Sequence, residues 1–494
     1  MKKSIYKILT LMLAVVLVTG CTELSDFEDT NVNPGVTNEP NTAALLTNVL
    51  SGVGGFADIR NTALYCQYFS ETQYPDVSQY SANLATPMGN YSGLLYDLQN
   101  IIITNTDEKT KVTAALNGAN ENQIAIARIL KAYIFWNMTD RWGDIPYSEA
   151  LKGNPNVAFD TQESIYKDMI KELTESVAQF TTGAAIKGDI AYNGDIAKWQ
   201  KLANSMRMLM ALRLSKRYPG ASEYAATEFK AALADGAGHI STNADNFQLN
   251  YPGGNFRNPY YNMYDGRKDY GESATMTTLL GTLTGDTRVS VYGGTNTGAP
   301  STEGVPYGYK RETVTAWTNS HPNYAYVFHP DYRQQTSPLF LVKASSVLLA
   351  RAEAADRGWT TETANTETLY QLGITASFTQ WGIPAPDPAY FTGANVDLTA
   401  AFGSGANLSK IALQQWVAYY PDGVQGWSNW RRTGVPALLP APDATNDPKE
   451  IPRRIMYGTN DYALTKAGVE AAVARIEPAG VGDKMNGRVW WDKQ

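Results

Sequence analysis

Between Gln123 and Asp140 apolar residues recur at Ile124, Ala127, Leu130, Ile134 and Met138, and a second row runs through Ile126, Ile129, Tyr133 and Trp136. Rows at three- and four-residue spacing predict a helix, and two such rows predict one buried between neighbours. The segment runs straight into Trp142-Gly143-Asp144-Ile145-Pro146-Tyr147, where glycine and proline cannot continue a helix. Asp160 and Glu163, in capping-box spacing, open a second helix with Ile165, Met169, Leu173 and Val177 inward and Lys167, Lys171, Glu172 and Glu175 outward. The pattern recurs. Residues 196–218 carry Trp199, Leu202, Met206, Leu209 and Met210, and gather Arg213, Lys216 and Arg217 near the C-terminus, where the helix dipole favours cations. Residues 222–234 follow as a short partner. A third pair is predicted at 338–356 and 363–381, with single helices at 42–50 and 409–420. Element order alone predicts an array of helix pairs.

From Ile240 to Ser337 helical periodicity gives way to Gly, Asn, Pro and Tyr, and this fifth of the chain holds 11 of the 30 tyrosines. A loop region this long is functional or carries short strands of its own. Tyrosine and tryptophan rings beside Asn and Arg suit the binding of sugars or peptides. The candidate contacts are Trp317, Tyr307, Tyr309, Tyr324 and Tyr326, with Tyr74 and Tyr80 in an earlier aromatic segment.

The N-terminus has a different character. Lys2, Lys3 and Lys7 precede an apolar run, Ile8 to Val18, too short to span a bilayer, which predicts an export signal over residues 1–20. Its end, Leu17-Val18-Thr19-Gly20-Cys21, resembles the bacterial lipobox, which implies acylation of Cys21 and a membrane tie through lipid. Residues 21–40, acidic and broken by Pro34 and Pro40, predict a tether, and residues 41–494 a single folded body. Losing residues 1–20 removes three lysines and no acid, so the formal charge falls from -7 to -10. An acidic body argues against a nucleic-acid partner and against electrostatic adhesion to anionic lipid.

Several blocks together resemble the SusD/RagB family of outer-membrane nutrient-binding lipoproteins. They are ARILKAYIFWNMTDRWGDIPYSEAL at 127–151, WQKLANSMRMLMALRLSK at 199–216, ASSVLLARAEAADRGW at 344–359, QQWVAYYPDGVQGWSNWRRTG at 414–434, IPRRI at 451–455 and MNGRVWWD at 485–492. The resemblance implies a mostly α fold, a tetratricopeptide-like helix-pair solenoid with a loop-rich region containing short strands grafted on it. It implies a glycan or peptide ligand and a TonB-dependent, SusC-like transporter as partner. Trp136, Trp142 and Tyr147 are then packing residues of the helix stack. The acidic stretch after Cys21 resembles the surface-export signals of Bacteroidetes lipoproteins, which places the protein at the outer-membrane surface.

Catalytic machinery is thin. His239, His321 and His329 form no HExxH and no pair four apart, and neither a GxSxG elbow nor a GxxxxGK[ST] loop occurs. Gly52 to Ala57 matches GxGxxA but follows a helical pattern where a dinucleotide site needs a strand. Asp29 to Asn33 begins like a calcium loop, but Pro34 and Pro40 stand where glycine and glutamate belong. Cys66, in an apolar stretch without a nearby histidine, reads as a core residue. No cofactor, metal or catalytic residue is expected, and the sequence points to a binding protein. A surface glycoside hydrolase and a helical scaffold for protein assembly are the alternatives.

Overall fold

The computed structural model describes residues 40–82, 85–154 and 157–494, with the backbone alone for residues 363 and 364. The expected export signal, Cys21 and the tether as far as residue 39 lie outside the described residues. Thr42–Gln494 forms one compact unit. It opens with α1 Thr42–Val53, α2 Arg60–Tyr65, β1 Phe69–Glu71, α3 Tyr96–Thr106, α4 Lys111–Ala114 and the long α5 Asn120–Trp142. Next come α6 Gln162–Gln179, α7 Ile196–Arg213 and α8 Tyr224–Leu233. The middle holds β2 Phe247–Leu249, α9 Pro259–Met263, β3 Tyr270–Glu272, α10 Ala274–Gly281, α11 Val289–Tyr292, β4 Gly293–Gly294, α12 Arg311–Ser320 and β5 Tyr326–Val327. The chain closes with β6 Leu339–Val342, α13 Ala344–Asp356, α14 Thr366–Thr379, α15 Leu408–Tyr419, α16 Gly423–Thr433 and α17 Thr459–Val473.

Consecutive helices pack as pairs: α5 on α6, α7 on α8 and α13 on α14. The pairs stack, α6 against α7 and α7 against α13, while α3 covers another side of α5. Helix α5 is therefore surrounded, and both of its apolar rows are buried apart from the half-buried Ile124 in its first turns. It stops at Gly143, whose φ of +88° is a backbone state closed to most side chains. There the Gly143 N–H donates to the Thr139 carbonyl at 2.8 Å.

Three expectations are corrected. Asp160 does not cap α6: its carboxylate accepts the N–H groups of Tyr147 and Ser148 at 3.0 and 2.9 Å, clamping the turn after α5. Thr161 supplies the cap by accepting the Ser164 N–H at 3.2 Å, and Glu163 accepts instead from the Tyr218 hydroxyl. The helix expected from residue 338 starts at Ala344, because Leu339–Val342, four consecutive buried apolar residues, pairs antiparallel with β2. A short apolar run carries no period that distinguishes strand from helix. The middle region also holds helices as well as strands. Helices α9 to α12 are too short, or too rich in Thr and Asn, to show a helical period.

Four of the six blocks that carry the family resemblance meet in one buried polar knot. Asp140, from α5, accepts the Trp491 indole N–H at 2.8 Å and the Tyr166 hydroxyl on one carboxylate oxygen. The Arg213 guanidinium stands 3.6 Å from the other, and Arg431 donates to the Asp140 carbonyl at 2.7 Å. Arg431 in turn lies 3.6 Å above the Trp427 ring and 4.6 Å from Trp491. Arg213 thus neutralises a buried carboxylate rather than simply serving the dipole at the end of its helix.

Candidate functional site

The loop-rich face is built on a two-stranded ladder that joins distant parts of the chain, with Phe69 opposite Glu272 and Glu71 opposite Tyr270. From β1 the chain turns through Tyr74, closed by Glu71, whose carboxylate accepts both the N–H and the hydroxyl of Ser78 at 2.8 Å. Burial pushes the Glu71 carboxyl up to about 7 against those two bonds. Tyr74 is left 54% exposed, with the Arg311 guanidinium 5.2 Å from its ring. Arg311 opens α12, and the same helix carries Trp317.

Helix α12 buries Val314 and Thr318, four residues apart, against the loop region. Trp317 lies on the flank, half-buried. The His321 ring stacks on it at 4.3 Å and 8°, held by a 2.9 Å bond from Nδ1 to the Trp317 carbonyl. Tyr324 packs against the indole at 6.3 Å and stacks on Tyr326 at 4.7 Å, and Tyr326 meets Tyr264 at 5.1 Å. The buried Arg333 guanidinium closes the row 4.4 Å over Tyr264. An aromatic ladder therefore runs from the core to a braced tryptophan at the surface. Rings fixed this way lose little freedom when a ligand stacks on them.

The seven aromatic candidates divide by burial. Tyr74, Tyr309 and Trp317 offer surface, Tyr309 being 38% exposed. Tyr324 and Tyr326, 6% and 2% exposed, brace Trp317 from below. Tyr307 and Tyr80 lie in the core, where the Tyr80 hydroxyl accepts the Ala441 N–H at 3.0 Å. Burial pushes that hydroxyl up to about 12. Arg311, His321 and the Glu71–Ser78 clasp were missed by sequence reasoning. The four-residue spacing of Trp317 and His321 was the available signal, and it carries meaning only once the segment is read as helix.

Elsewhere, chemistry-bearing side chains are dispersed. His239 is bonded to Arg351 at 3.1 Å and His329 to the Gly298 carbonyl at 2.8 Å. Cys66 is fully buried, and burial raises its thiol well above the usual range.

Residues 34–458 match the SusD-like family described as "Starch-binding associating with outer membrane". The chain belongs to the SusD-like family. No curated protein matches it. Its fold is that of SusD homologues whose structures are solved. One neighbour, a chitin-binding protein, superposes with a TM-score of 0.74 at 28% identity, covering 92% of this chain and 100% of its own. A chitin-binding SusD homologue from Flavobacterium johnsoniae gives 0.72 at 24% identity, over 92% and 98% of the two chains. A SusD homologue from Bacteroides uniformis gives 0.70 at 24%, over 92% and 100%. In this SusD-like chain the family blocks build the stack and its knot, while the aromatic ladder belongs to the loop region outside those blocks.

Proposed function

We propose that this SusD-like chain is a lipoprotein anchored through Cys21 at the outer-membrane surface, where it binds a neutral glycan and delivers it unaltered to a TonB-dependent transporter. The observation that carries the binding reading is Trp317, half-exposed and braced by His321 and Tyr324, on the same helix as the Arg311 that covers Tyr74. The apolar faces of sugar rings stack on such a platform, and neighbouring amides and guanidinium groups take the hydroxyls. The neighbour at 28% identity binds chitin by its description, which supports an N-acetylated glycan as the first ligand to try. Trp317→Ala should weaken chitohexaose binding about tenfold, a loss near 1.4 kcal/mol, in calorimetry on residues 22–494. Its thermal midpoint should stay near that of the parent, since only part of the ring is buried. A variant that binds as tightly as the parent would place the site elsewhere.

The hydrolase alternative has one residue in its favour. Glu71, held at about 7 by burial, has the proton affinity of a general acid, yet Ser78 occupies its Oε2 twice. Chitohexaose incubated with the protein should be recovered intact. Cleavage that disappears in Glu71→Gln would establish the hydrolase reading instead.

For the transporter, the supporting surface is apolar and close to where the chain enters the body. Ile103, Val112 and Leu116 are 50%, 75% and 70% exposed. The neighbouring Asn117 amide donates to the Thr42 hydroxyl at 3.1 Å, placing this patch beside the start of α1. A contact face there lies where the described chain enters the folded body. Val112→Asp with Leu116→Asp should reduce co-isolation of a TonB-dependent barrel, identified by mass spectrometry, from mild detergent extracts. Undiminished co-isolation would remove this face from the interface.

A further inference from the structure

A groove of about 860 Å³ runs between α10 and α15, where the loop region meets the helical scaffold. Helix α10 turns Met276, Thr277 and Leu280 into the core. It thereby leaves Thr275, Thr278, Leu279 and Thr282, spaced as one helical face, along the groove wall. Leu413 forms part of the opposite wall, and Pro436 part of the lining between them. Lys410 is the one charged residue of the lining, and its ammonium donates to the Asp397 carbonyl. With that single ammonium tied to a backbone carbonyl, a lining made otherwise of hydroxyls, one amide and small apolar groups offers little to an anionic polymer. It fits a neutral chain bearing hydroxyl and acetamido groups, whose methyls rest against Leu279, Leu413 and Pro436.

This groove is tied to the aromatic face by hydrogen bonds and by one chain segment. Thr275 donates to the Gln67 side chain at 2.7 Å, and Gln67 donates to the Leu439 carbonyl at 2.6 Å. Leu439 itself is 77% exposed, an apolar knob on the segment that joins the two surfaces. A few residues on, the Asp443 N–H donates to the Gly308 carbonyl at 3.2 Å and its carboxylate accepts the Lys310 N–H at 2.8 Å, on either side of Tyr309. One segment, residues 435–443, thus begins in the groove and ends at Tyr309, spanning at most about 30 Å fully extended.

Resting on the glycan reading above, we propose that the α10–α15 groove is a second subsite, free of aromatic rings, that takes the extension of an N-acetylated glycan whose other end stacks on the Trp317 face. The test compares chitobiose with chitohexaose by calorimetry on residues 22–494. The parent should bind the hexamer at least tenfold more tightly than the dimer. Thr278→Glu with Thr282→Glu, one exposed on α10 and the other exposed just past its end, should lower hexamer affinity about tenfold, leaving the dimer affinity and the thermal midpoint unchanged. Trp317→Ala should weaken both ligands. Equal parent affinities for the two ligands, or a groove variant that binds the hexamer like the parent, would overturn the subsite and leave the Trp317 reading intact. A groove variant weakened equally for both ligands would also overturn it. No binding of either oligomer by the parent would overturn the glycan reading, and the subsite with it.

Discussion

Replacing Asp140 by alanine should destabilise the folded body by roughly 3–5 kcal/mol, the cost of removing one partner from a buried charge pair. Asp140 is fully buried, and three families of contact converge on it. The Trp491 indole and Tyr166 hydroxyl share one carboxylate oxygen, and Arg213 faces the other. Without the carboxylate, Arg213 keeps a charge that α5, α7 and the C-terminal segment enclose. Trp491 also loses the acceptor of its buried N–H. Urea unfolding of residues 22–494 reads the loss directly. A change below about 1 kcal/mol would mean that water replaces the carboxylate and that the knot is not a single unit. Any protein that does fold should bind ligand as the parent does, because the knot contributes nothing to the Trp317 face.

That division explains what was legible in the sequence. Helices α5, α6 and α7 run for five turns or more, so their apolar rows repeat often enough to fix element type and pairing. Four of the six family blocks converge in the knot, contributing Asp140, Arg213, Arg431 and Trp491 in turn. Each looks unremarkable alone, since an Arg near a helix end is ordinarily read as dipole compensation. Only the tertiary fold shows Arg213 beside Asp140 and 5.3 Å from the Trp491 ring.

The site was legible as a region and not as a list of residues. A Tyr-rich loop segment announces ring surface, but burial is decided by the partners that come from elsewhere. Tyr307 and Tyr80 are drawn inward because the 441 segment closes over them, and nothing within four residues of either signals that. Trp317 stays half-exposed because α12 has just two inward positions, Val314 and Thr318, to hold it against the body. Asp160 shows the same limit at a turn. Its spacing to Glu163 matches a capping box, yet the preceding turn brings two free N–H groups, of Tyr147 and Ser148, nearer than those of the helix.

Beneath the aromatic face, Glu272 should make stability fall as pH rises. Its side chain is fully buried, and among the described residues neither carboxylate oxygen has a hydrogen-bond partner. Gly293 makes the room: a Cβ there would come within 2.1 Å of Oε2. Burial pushes the Glu272 carboxyl well above its ordinary value of 4.5, and no cation offsets it. The Tyr420 hydroxyl, pushed upward by burial first and by Glu272 after it, donates to the Tyr292 carbonyl at 2.9 Å. The folded state therefore holds this proton more tightly than the unfolded chain. Below pH 4.5 both states are protonated and the titration of Glu272 takes nothing from stability. As pH rises from there toward the folded value, the unfolded chain alone releases its proton, and stability falls by about 1.4 kcal/mol per pH unit. Glu272→Gln removes that slope. Its amide N–H also lacks a partner, a cost that does not vary with pH, so the informative quantity is the divergence between the two curves. Measured from pH 4 to pH 8, the variant should gain steadily on the parent and melt later at the alkaline end. The effect has a place in the fold, because the Glu272 N–H donates to the Ala325 carbonyl at 2.9 Å and its carbonyl accepts from Val305 at 2.8 Å. These bonds hold the floor under Tyr324 and Tyr326, so amide exchange at residues 270–273 and 324–327 should accelerate first in the parent as pH rises. Parallel stability curves for parent and variant would mean that Glu272 is hydrated or paired in solution and does not set this dependence.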